Sequence, residues 1–122
     1  MTQASAGDTL RSTWEANGHF NPSAIPTQVK ILFSPIPNMA NAGPTAPRFY
    51  ANASQLAVAA ISPFASTETC YSATDPNTVC FLDWVIPTYL VRNSTYSFVY
   101  YWDYGFNPAG EVYTTCFDVL IV

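Results

Sequence analysis

Ten prolines, Pro22, Pro26, Pro35, Pro37, Pro44, Pro47, Pro63, Pro76, Pro87 and Pro108, punctuate this 122-residue chain and leave no room for long helices over most of its length. The stretches between them alternate with period two, the signature of half-buried strands. Leu10, Ser12 and Trp14 share one face of a first strand, and Val29, Ile31 and Phe33 line a second that stops at Pro35-Ile36-Pro37. The span 38–47 is a loop of small turn formers, and 55–61 is a short apolar strand. Cys80, Leu82, Trp84 and Ile86 face one way in the next strand, which Pro87 ends. The strongest pattern lies at 95–104, where Tyr96, Phe98, Tyr100, Trp102 and Tyr104 are all aromatic. Such a stripe cannot stay exposed without aggregating, so it is expected to be mostly buried. The turn-rich segment 105–110 then leads into a final strand running to Val122, and the two should pair as a hairpin.

These elements predict a single all-β domain over residues 1–122. It is an antiparallel, immunoglobulin-like β-sandwich of about seven strands with long proline-rich loops. The length suits one core and is too short for two. Only 10% of residues are charged and 16% are aromatic, a bias opposite to that of disorder.

The net charge of −4 comes from Arg11, Lys30, Arg48 and Arg92 against eight acidic residues, with no basic cluster. Nucleic acid and anionic membrane surfaces both demand such a cluster, so neither is an expected partner. No run approaches the ~20 apolar residues that span a bilayer. The opening Met1-Thr2-Gln3-Ala4-Ser5-Ala6-Gly7 lacks the basic and apolar regions of a signal peptide. Two glycosylation sequons, at Asn52 and Asn93, nevertheless suit a secreted protein, and the chain reads as a mature or shortened extracellular region.

Three cysteines, Cys70, Cys80 and Cys116, cannot all pair within one chain, so an extracellular setting implies one disulfide and one thiol outside it. Metal-binding Cys-x-x-Cys spacing is absent. There is no Gly-x-Ser-x-Gly elbow and no phosphate-binding glycine loop. Asp83, Asp103 and Asp118 fall in strands without a spacing that marks a glycosidase carboxylate pair.

Two motifs carry a resemblance. Trp14-Glu15-Ala16-Asn17-Gly18-His19 contains the only histidine, and the chain closes on Glu111-x-Tyr113-x-x-Cys116 with Tyr113-Thr114-Thr115-Cys116-Phe117-Asp118-Val119. Together with Tyr101-Trp102-Asp103, these make residues 7–122 resemble secreted fungal proteins like the lytic polysaccharide monooxygenases. The resemblance implies a copper site with His19 as one imidazole ligand, Tyr113 as the axial group and Glu111 as the neighbour that orients bound oxygen. It also implies that His19 and Tyr113 lie near one another and that Cys116 is bridged to Cys70 or Cys80, with Cys70–Cys80 as the alternative. The sequence departs from that pattern in two ways. Glu111 stands where many members carry glutamine, and no N-terminal histidine is present to supply the first ligand.

The expected function is therefore a secreted, monooxygenase-like domain without a complete copper centre, associated with cell-wall polysaccharide. Two alternatives stand beside it. One is a structural protein that self-associates by strand addition at an unpaired sheet edge. The other is a non-catalytic carbohydrate-binding module stacking sugars on aromatics such as Trp102 or Tyr104, whose competing role is core packing.

Overall fold

The structure, a computed structural model, describes residues 1–18, 27–38, 56–104 and 111–122, with the side chains of Tyr104 and Glu111 excepted. Its described residues form seven strands and no helix: β1 (Thr2–Ala4), β2 (Thr9–Glu15), β3 (Gln28–Phe33), β4 (Ala57–Pro63), β5 (Val79–Val85), β6 (Thr95–Tyr104) and β7 (Glu111–Ile121). Five of them make one sheet in the order β1-β7-β6-β3-β4, and β2 and β5 make a second, two-stranded sheet. All pairs are antiparallel except β1–β7, which is parallel.

The expected all-β sandwich is thus present, and its centre is the aromatic strand. β6 pairs with β7 from Thr95↔Leu120 to Tyr104↔Glu111 and with β3 from Gln28↔Asp103 to Phe33↔Phe98. Tyr96, Phe98 and Trp102 are buried on its even-numbered face, and Tyr100 is half-buried. Thr95, Ser97 and Val99 on the opposite face are buried as well, where the Ser97 hydroxyl donates to Asp118 Oδ1 at 2.6 Å.

Between the sheets, Ile31, Phe33, Phe98, Val119 and Ile121 of the large sheet meet Trp84 and Ile86 of the small one. Trp84 lies 5.2 Å from Phe98, which stacks on Phe33 at 5.4 Å, ring centroid to centroid. Burying each such ring stabilises the fold by roughly 1.5–3 kcal/mol. Trp84 satisfies its indole by donating to Ser12 Oγ at 2.9 Å, which ties the two small-sheet strands together inside the core.

The chain passes from the large sheet to the small one in a turn at residues 5–8. Asp8 N donates to Ser5 O and Ser5 N to Asp8 Oδ2, while Gly7 takes φ +91°. That value lies where only glycine is comfortable. β1 is the element without a sequence expectation, because three residues with one apolar side chain carry no readable period. The β4 strand begins at Ala57 and continues to Pro63, two residues beyond the apolar run, with a bulge opposite Ile31/Leu32.

The disulfide corrects one expectation. Cys70 is bridged to Cys80, and Cys116 takes no part in that bridge. The register explains the choice. Cys70 lies directly across from Cys80 in a β-bridge, with Tyr71 N donating to Val79 O and Phe81 N to Thr69 O on either side. Cys116 faces outward on β7 opposite Val99, in the other sheet.

Candidate functional site

At one end of the sandwich the aromatics form a stack that runs from core to surface. Phe64, just after β4, lies on Trp102 with centroids 3.8 Å apart, and Trp102 lies on Tyr113 at 5.1 Å. Trp102 donates through Nε1 to Thr27 Oγ1 at 2.8 Å and is only 7% exposed. It is therefore core, and sugar stacking on Trp102 does not describe this molecule. Tyr113 is 47% exposed. Its exposure follows from its place near the start of β7, beyond the reach of the two-stranded sheet.

Tyr113 is the only member of the copper set whose side chain is described. His19, and with it the expected closeness to Tyr113, lies outside the described residues, as do the side chain of Glu111 and the Asn52 sequon. Among the described residues no three histidine, cysteine or acidic side chains gather into a metal site. The second sequon residue, Asn93, is exposed with φ 61° in the turn before β6.

A different constellation is complete. It sits on the outer face of the two-stranded sheet, where the β2–β5 register sets Arg11 opposite Asp83 and Thr13 opposite Phe81. Arg11 grips Asp83 with two bonds, Nε to Oδ1 and Nη2 to Oδ2, both 2.7 Å. Its third donor, Nη1, reaches the Tyr71 hydroxyl at 3.1 Å. The guanidinium carbon lies 4.3 Å from the Phe81 ring centroid, a cation–π contact. Phe81 in turn packs against Tyr71 at 5.1 Å with planes inclined by 32°.

Tyr71 is 64% exposed, yet it is held on three sides. Its main chain is bonded to Val79, its neighbour Cys70 is locked to Cys80, and its hydroxyl meets Arg11. The Arg11 partnership holds the Asp83 carboxyl below its usual range, and Asp83 with Tyr71 raises the guanidinium, so both stay ionised. The pair is neutral as a unit. Nothing in sequence spacing reveals this cluster, because its members lie 60 and 72 residues apart and meet only through the strand register.

Comparison of the chain with protein-family models, curated proteins and solved structures finds no match in any of the three.

Proposed function

We propose that this is an extracellular, non-catalytic domain that binds an uncharged polysaccharide, of cell-wall type, through the Tyr71 platform. The observation that carries the reading is the exposed Tyr71 ring, fixed at 5.1 Å from Phe81 and bonded to an arginine–carboxylate pair. A pyranose ring presents an apolar C–H face and a rim of hydroxyls that both donate and accept. A rigid aromatic side chain takes the first, and at little entropy cost because it is already held. Asp83 has lone pairs left over for the second, and charge-assisted bonds of this kind are among the strong ones. Neutrality of the Arg11–Asp83 pair favours a neutral ligand over an acidic one. The Cys70–Cys80 bridge supports an oxidising, extracellular setting.

Binding rather than cleavage is favoured because, among the described residues, the carboxylate bonded into the platform is Asp83, tied to Arg11, whereas glycoside cleavage needs two opposed carboxylates flanking the bond. The test is co-sedimentation of the full chain with insoluble cellulose and with insoluble chitin. Retention on at least one of them, weakened tenfold or more by Tyr71→Ala, is the expected result. No retention on either polymer, or retention that Tyr71→Ala leaves unchanged, would remove the proposal.

A further inference from the structure

On the opposite side of the same small sheet lies an open groove of about 380 Å³ between β2 and the inner face of β6 and β7. Among the described residues β2 pairs only with β5. Observed bonds fix which way its main chain points. Ala16 N donates to Thr78 O and Ile86 N to Asp8 O, so the even-numbered residues of β2 turn toward β5. Alternation along an antiparallel pair then aims the N–H and C=O groups of Thr9, Arg11 and Thr13 away from β5 and over the groove. The floor is Tyr100, Thr115 and Phe117. The Tyr100 hydroxyl there is buried and, among the described residues, has no hydrogen-bond partner.

The groove is the shape of a missing strand: an unpaired main-chain edge above an apolar shelf. Its geometry also limits what can enter. β1 is three residues long and too short to fill the edge. β4 fits. Among the described residues it pairs with β3 alone, and its outer face exposes Val58 (53%) and Ile61 (52%), in register with Leu32 and Lys30. Pro63 closes its far end to pairing because it has no N–H.

We infer that β4 of a second copy of this chain docks in the groove. Its main chain pairs with the outward edge of β2, and Val58 and Ile61 settle on the Tyr100–Phe117 floor. Donor and acceptor surfaces differ, so the contact is head-to-tail, and every open chain of copies keeps one unused donor and one unused acceptor at its ends. Copies would add one after another into a linear assembly, independently of the Tyr71 platform.

Sedimentation of the full chain over a wide concentration range tests this, beside a donor variant, Val58→Lys with Ile61→Lys, and an acceptor variant, Thr13→Pro. The Thr13 N–H points away from β5, so proline there spares the internal ladder; Thr115→Arg, which fills the groove from its floor, is a second acceptor variant. Near-ultraviolet dichroism of the aromatic core identifies which variants are folded. The wild type should grow beyond dimers with concentration, and each folded variant alone should associate at least tenfold more weakly. Mixed in equal amounts, a donor variant and an acceptor variant should form a dimer that goes no further, since one intact half remains on each. A wild type that stays monomeric, a donor variant that still assembles alone, or a mixture that fails to pair would overturn the inference.

Discussion

Phe64 lies flat on Trp102, its plane 8° from parallel and its centroid 3.8 Å away. The contact joins the end of β4 to the middle sheet strand β6, and it is fastened from both sides. Trp14 on the small sheet donates through Nε1 to the Phe64 carbonyl at 2.8 Å, while Trp102 donates to Thr27. One stack thus clamps the two sheets at the end where Tyr113 emerges.

Removing that clamp should be costly. Trp102→Ala is expected to destabilise the domain by about 3–5 kcal/mol, the range for deleting a buried aromatic and leaving a cavity. Chemical denaturation of the two proteins measures it. A loss under about 1 kcal/mol would mean that the stack is peripheral.

Reducing the Cys70–Cys80 bridge reopens a loop of sequence separation 10. Loop-closure entropy gives a loss of about 2–3 kcal/mol on reduction. Peptide mapping without reduction should recover Cys70 joined to Cys80, with Cys116 in a separate peptide.

Tyr100 should titrate late. Burial pushes its phenol well above the ordinary value of 10.0. The folded state therefore keeps the proton that the unfolded chain gives up, so the contribution is complete below pH 10 and is lost as alkalinity rises further. An ultraviolet pH titration should contain a component that appears only on alkaline unfolding and that Tyr100→Phe removes. Tyr100→Phe, which removes a buried hydroxyl without a partner among the described residues, should be neutral or stabilising by up to about 1 kcal/mol in the monomer.

The sign runs the other way at Asp83. Arg11 depresses its carboxyl, so the pair's contribution is intact above the ordinary carboxylate value of 3.8 and disappears as pH falls through the lower folded value. Both groups are solvent-exposed and the effect on stability should be small. Replacing Asp83 by Asn should abolish this acid-limb contribution, as read from denaturation midpoints at pH 7 and pH 2.

Much of this architecture was legible in the chain. The alternation of Tyr96, Phe98, Tyr100 and Trp102 named a buried strand face, and the prolines after Phe33 and Ile86 marked where strands stop. β1 was not legible, because Thr2-Gln3-Ala4 is too short for a period to register. The turn formers Asp75-Pro76-Asn77 between Cys70 and Cys80 were the available sign that those two face each other. The platform escaped because pairing Arg11 with Asp83 requires the β2–β5 register, and a slip of one residue would have put the two side chains on opposite faces.

The most direct measurement is nuclear magnetic resonance mapping of soluble cello- and chito-oligosaccharides on the labelled chain. With at least one of the two sugars, shifts should centre on Tyr71, Phe81, Arg11 and Asp83 and saturate with concentration. In Tyr71→Ala the affinity should drop tenfold or more while the core signals of Phe98 and Trp84 stay in place. Saturable shifts centred elsewhere on the surface, or no shifts with either sugar, would contradict the saccharide platform.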